Sequence, residues 1–188
     1  MPTQLDERAV RVLAHPLRSR ILSRLRLHGP ATATDLASAF ATNTGATSYH
    51  LRALESVGLV NDTGRGTGRR RIWQASTPAH AWTASALPRD DDTRAALDWL
   101  QRGYVRDYAE RAERWLDAAD NWPAEWVDLL GTADAMLTVT PDQFATFRAE
   151  LQALIARHSE TGVGDPHARR ILISMLSNPV ELRPPGDD

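Results

Sequence analysis

The sequence predicts a mainly α-helical chain with small β elements, and three observations carry that prediction. Apolar residues recur at spacings of three and four through most of the chain, the period of a helix with one buried face. Two short strand-like runs, "LVNDT" from Leu59 and "IWQAS" from Ile72, enclose the glycine- and arginine-rich loop "GRGTGRRR". From Thr93 to Asn121 one aromatic-rich seam persists at helical spacing, the mark of a single long amphipathic helix.

The elements follow in order. "DERAVRVLA" spaces Val10, Leu13 and Ala14 for a first helix, halted near His15 because proline disfavours helix in the residue before it. Pro16 opens a second, with Leu17, Ile21, Leu22 and Leu25 as its apolar stripe, while Arg18, Arg20, Arg24 and Arg26 mostly point away. "TATDLASAF" gives a third, capped by Thr32 or Thr34 and buried through Leu36, Ala39 and Phe40. "ATNTG" turns into a fourth, whose Thr47, Leu51, Leu54 and Val57 share one side. Its other side carries Gly45, Ser48, Tyr49, Arg52 and Ser56, short enough to approach base edges; His50 stands at the border.

A scaffold helix, a tight turn and a second helix with a small polar face form a helix-turn-helix, in which the second helix enters the major groove. The following hairpin reads as a wing. Its Arg65, Arg69, Arg70 and Arg71 are placed for phosphate or minor-groove contacts. The full set of expected DNA contacts is Thr47, Ser48, Tyr49, His50 and Arg52 on the helix, with Arg65, Arg69, Arg70 and Arg71 in the wing. Charge agrees with this division. Residues 1–80 hold 11 arginines against 5 acidic residues, whereas residues 81–188 hold 11 against 19, so the net charge of -2 conceals a basic half suited to a polyanion.

"LAHPLRSRILSRLRLHGPATATDLASAF", "TSYHLRALESVGLV" and "GRGTGRRR" together resemble the winged helix-turn-helix of arsenical-resistance-repressor-like (ArsR-like) bacterial regulators, over about residues 5–77. The resemblance implies a homodimeric repressor on a near-palindromic operator in double-stranded DNA, released when an effector binds. It also implies recognition by Ser48, Tyr49, His50 and Arg52, with Arg65, Arg69 and Arg70 in the wing. One departure matters for mechanism. Metal-sensing members carry Cys-x-Cys on the scaffold helix, and this chain has no cysteine, which excludes thiolate metal sites, disulfides and thiol nucleophiles alike. Imidazole and carboxylate ligands stay open chemically, but the six histidines show no clustered spacing, so neither metal nor cofactor is expected.

The expected domains are the winged module at 1–77, a linker at 78–92, a dimerisation or effector domain at 93–182 and a tail at 183–188. The linker reading rests on the small residues and prolines of "STPAHAWTASALPRDDD". In the C-terminal domain the long helix is followed by a short helix in "PAEWVDLLG". A strand–helix–strand unit then runs from "AMLTVT", through a helix opened by Thr140 and Pro141, to "RRILISML". Tyr104, Tyr108, Trp115, Phe144 and Phe147 are candidate walls for a small apolar effector, with ordinary core packing as the alternative. No apolar stretch approaches the roughly 20 residues of a membrane span, and "MPTQ" does not lead into a signal-peptide core, so a cytoplasmic protein is expected. Without a phosphate-cradling loop, a Gly-x-Ser-x-Gly elbow or a metal triad, no enzyme is expected either. The competing reading is a winged-helix adaptor that binds protein without sequence-specific DNA binding.

Overall fold

Side-chain caps decide where the N-terminal helices begin. In the computed structural model, which describes residues 3–68 and 70–182, Asp6 accepts a hydrogen bond from the Ala9 amide and starts α1 (Glu7–Leu13). His15 Nδ1 accepts from the Leu17 amide and starts α2 (Pro16–His28), which ends at Gly29 with φ 83°, a left-handed value that glycine adopts without strain. Thr32 and Asp35 form a reciprocal capping box at α3 (Ala33–Ala39), and Asn43 caps α4 (Thr44–Glu55). The sequence placed these helices closely; the caps at Asp6, His15 and Asn43 were not anticipated.

A three-stranded antiparallel sheet follows, in the order β2 (Ala31–Thr32), β4 (Ile72–Ala75), β3 (Val60–Asp62). The β3–β4 hairpin pairs Val60 with Ala75 and Asp62 with Trp73, which makes the loop between them the wing. Together α1–α4 and this sheet enclose one core, including Val10, Leu13, Ile21, Leu22, Leu36, Leu51, Leu54, Leu59 and Trp73. Apolar burial of this kind is the main favourable contribution to folding.

The proline- and alanine-rich stretch expected to be a linker is instead fastened to this core. β1 (Thr3–Gln4) pairs in parallel with β5 (His80–Ala81), a 3₁₀ turn covers Ala84–Ala86, and Leu87 is buried. Contacts divide the chain into units at 1–106 and 107–188, so the boundary falls inside α5 (Asp91–Ala118) rather than ahead of it. The first half of α5 belongs to the N-terminal unit through Leu100, 1% exposed, with Ala96, Leu97, Trp99 and Tyr104 packed beside it. Arg11 adds bonds to Asp90 and Thr93 at the start of α5.

His80 joins this attachment. Arg26 faces His80 Nδ1, and because arginine has only donors that nitrogen must be the acceptor. The proton therefore sits on Nε2, which donates to the Tyr104 hydroxyl, while the ring stacks near Trp82. Burial, followed by the Arg26 charge, lowers the His80 pKa to about 4.

The C-terminal unit continues α5 into a 3₁₀ turn at Ala119–Asn121, then α6 (Ala124–Val127) and α7 (Pro141–His158). Thr140 caps α7 with Pro141 in its first turn, as the sequence predicts, and Gln143 completes a capping box that the sequence reading does not include. The two expected strands do not form. Residues 135–140 and 169–176 are irregular, with no strand among the described residues of this unit. Alternating apolar residues permit a strand, but a strand exists only where another backbone completes its hydrogen bonds. Here none does.

The His80 arrangement predicts acid sensitivity with a definite sign. A histidine whose folded pKa lies below 6.5 binds its proton more readily when unfolded, so stability falls as pH drops from about 6.5 to about 4. This group alone should cost on the order of 3 kcal/mol across that window. Urea unfolding at several pH values should show the decline in the native protein and a shallower one in His80→Gln; identical slopes would contradict it.

Candidate nucleic-acid interface

The helix-turn-helix angle is set from inside. Thr47 is fully buried, and its Oγ1 donates to the Ala33 carbonyl at 2.8 Å, tying α4 to the first residue of α3. Ala41, at φ 51°, makes the intervening turn in the left-handed region, and the Thr42 amide closes it on the Ala37 carbonyl at 2.9 Å. Thr47 therefore cannot reach a groove. Its expected role as a DNA contact gives way to a packing role, because its buried hydroxyl is taken up by the Ala33 carbonyl.

With Thr47, Leu51 and Leu54 held inward, the opposite side of α4 is fixed outward. Tyr49 is 68% exposed, Arg52 is exposed and Ser48 is half-buried. His50 is turned toward the domain body at 8% exposure, its ring 4.5 Å from that of His15 and 5.2 Å from that of Tyr49. His50, expected at the border of the two faces, thus packs on the domain side of α4 and does not face base edges. Burial first, then the His15 and Arg18 charges, holds the His50 pKa below its ordinary value.

The wing is shaped by its own short bonds. Asp62 Oδ1 accepts from the Gly64 amide at 3.0 Å, Thr63 Oγ1 from the Arg65 amide at 3.2 Å, and the Thr67 carbonyl from the Arg70 amide at 3.1 Å. Gly66 admits no side chain, since a Cβ there would lie 1.8 Å from the Arg70 carbonyl oxygen. Arg65, Arg70 and Arg71 are exposed. Arg71 lies over the Trp73 ring and 3.5 Å from Asp62, while Arg69 falls outside the described residues.

Between α4 and the wing runs a cleft of about 420 Å³. It gathers Ser48 and Arg52 with Arg70 and Arg71, four of the residues singled out from the sequence, and adds Thr34, Thr44 and a Trp73 wall that the sequence did not flag. The Asp35 carboxyl, in the capping box of α3 with Thr32, is kept below the usual range by two hydrogen bonds from Thr32 and then by the Arg70 and Arg24 charges. Among the described residues, Arg52, Arg70 and Arg71 are the only charged ones that line the cleft, and with the Thr and Ser hydroxyls they give it cationic and donor groups suited to a polyanion.

The candidate effector residues divide. Tyr104 belongs to the N-terminal unit, engaged with His80 and stacked near Trp82. In the C-terminal unit Trp115 meets Trp122 edge-on at 5.4 Å, and Phe144 stacks with Phe147 at 6.0 Å. Tyr108 lies in the same unit and is half-buried. Among the described residues, no three His, Asp or Glu side chains are grouped to hold a metal ion, and no helix is long and apolar enough to cross a membrane.

Residues 13–63 match the family model of a helix-turn-helix domain, which spans α2, α3, α4 and β3. No curated protein matches the chain in sequence. Among solved structures, the chain is similar to a transcriptional regulator from Thermotoga maritima. Identity is 12%, 78% of this chain and 79% of that one are covered, and the TM-score is 0.30.

The two inward and outward faces of α4 predict different costs. Thr47→Val keeps the volume and removes the donor to Ala33, and should cost about 1–2 kcal/mol by deleting this part-buried interhelical hydrogen bond. Ser48→Ala, one residue on, should change stability by no more than about 0.5 kcal/mol. Chemical denaturation of both variants checks this, and equal costs would contradict the assigned faces.

Proposed function

We propose that this chain is a sequence-specific, DNA-binding transcription regulator that acts as a homodimeric repressor of the ArsR-like type. The observation that carries the reading is the cleft in which Ser48 and Arg52 of α4 face Arg70 and Arg71 of the wing. A helix of about 10–12 Å diameter fits the major groove, and a wing beside it meets the flanking backbone. The helix-turn-helix match over residues 13–63 supports the same assignment.

On this reading the roles separate by chemistry. Arg52 and Ser48 face base edges, where a guanidinium can donate two parallel bonds to a guanine. Tyr49 offers a base-edge or thymine-methyl contact from the rim. Arg65, Arg70 and Arg71 neutralise phosphates and fix register without reading sequence. Repression, by occupation of a near-palindromic operator, follows from the resemblance of residues 5–77 to ArsR-like regulators. The absence of cysteine removes thiolate metal sensing as the means of release.

Dimerisation is assigned to the C-terminal unit. No described residue from 107 to 182 is buried, while Leu129, Met136, Ile173 and Leu176 are each at least 60% exposed. Apolar surface on that scale marks an association site, and two-fold pairing is what a palindromic operator requires. A small apolar effector would act from the aromatic residues of the same unit.

Sequencing the genomic fragments retained by the purified protein yields the site on which these roles can be measured. Arg52→Ala should then lose about 1–3 kcal/mol of discrimination at one base pair. Arg70→Ala should weaken selected and random duplexes alike and reduce the slope of log K against log salt by about one. Equal losses on both duplexes for both variants would overturn this division, and failure to retain any DNA would favour the adaptor reading.

A further inference from the structure

The flank of α4 away from the wing holds charged and polar groups that the cleft does not use. Tyr49 lies roughly 100° around the helix from Ser48 and takes no part in lining the cleft. Arg18, on the first turn of α2, is half-buried within electrostatic range of the Tyr49 hydroxyl. Beside it, the His15 ring covers that of His50 at 4.5 Å. Two nitrogens in this cluster, Arg18 Nε and His50 Nδ1, are buried with no hydrogen-bond partner among the described residues. Unsatisfied buried polar atoms are uncommon because each forfeits its hydration. Both belong to side chains beside the proposed groove surface, where His15 and Arg18 are themselves partly exposed.

We propose that Arg18, His15 and His50 form a seat for one backbone phosphate of duplex DNA, on the side of the recognition helix opposite the wing. The proposal rests on the DNA-binding reading above and extends it to residues outside the recognition surface. A phosphate has the acceptors that this cluster lacks, and Arg18 supplies the fixed charge that draws it in. With the wing arginines on one backbone and this seat on the other, α4 would be gripped from both sides of the groove.

The seat also couples binding to protons. In the free protein the charged groups acting on the His50 ring are His15 and Arg18, from α2 and its cap, with Tyr49 edge-on from its own helix. Burial and then these positive neighbours favour the neutral imidazole. A bound phosphate reverses that balance, so DNA binding takes up a proton and tightens as pH falls.

The test uses the full chain and a mixed-sequence duplex of about 25 bp at low salt, where phosphate contacts dominate. Binding is followed by fluorescence anisotropy from pH 8 to pH 6, and thermal melting confirms that each variant folds. Wild-type affinity should rise several-fold as pH falls, and His50→Gln should flatten that rise. Arg18→Gln should bind roughly tenfold more weakly and lower the salt slope by about one. Arg18→Gln with wild-type affinity and slope, or a wild-type affinity independent of pH, overturns the seat while leaving the regulator reading intact. A wild-type chain that binds no duplex overturns both.

Discussion

The structure turns on one buried hydroxyl. Thr47 donates to the Ala33 carbonyl from a position with no solvent exposure, and in doing so fixes the rotation of α4 about its own axis. Because a helix advances about 100° per residue, choosing the inward position of Thr47 chooses the outward positions of Thr44, Ser48 and Arg52. Leu51 and Leu54 fill the core on the same side and supply most of the energy, but apolar contact alone tolerates some rotation. A hydrogen bond does not. The arrangement of the cleft, and of the groups on its far flank, follows from that constraint.

A second constraint positions the wing. The β3–β4 register places Trp73 opposite Asp62, so Arg71 lies over an aromatic ring and beside a carboxylate. Such a guanidinium is held near the cleft instead of sweeping through solvent, although an exposed ion pair of this length contributes little to stability. Gly66 matters for the opposite reason: any side chain there would strike the Arg70 backbone. The wing thus combines a restrained base at its root with a tightly folded tip.

Much of this was legible in the residue pattern. Helical periodicity located α1–α4, and the loop between two alternating runs located the hairpin, because both signals report local geometry. Thr47 does not keep its expected role as a DNA contact, and His50 lies off the base-facing surface, for a related reason. A threonine within an apolar stripe still offers a hydroxyl as a contact donor until a carbonyl from another helix claims it, and sequence spacing does not carry that long-range bond. The segment 78–92 looked like a linker from its composition, yet parallel pairing with β1 and burial of Leu87 tie it down. Pairing between residues nearly eighty positions apart leaves no local trace. The segments at 135–140 and 169–176 show the converse, a β-capable pattern that finds no backbone to pair with.

The sequence points Arg18 away from the apolar stripe of α2, whereas in the structure it is half-buried and within electrostatic range of Tyr49 on the recognition helix. Whether α4 and the wing together embrace duplex DNA is most directly measured by amide hydrogen exchange, with and without a saturating retained fragment. Slowed exchange at the α4 N-terminus and through the wing loop, with little change on α1 and α7, is the result that follows from this geometry. Protection confined to the C-terminal unit, with the wing loop exchanging as in the free protein, would contradict it.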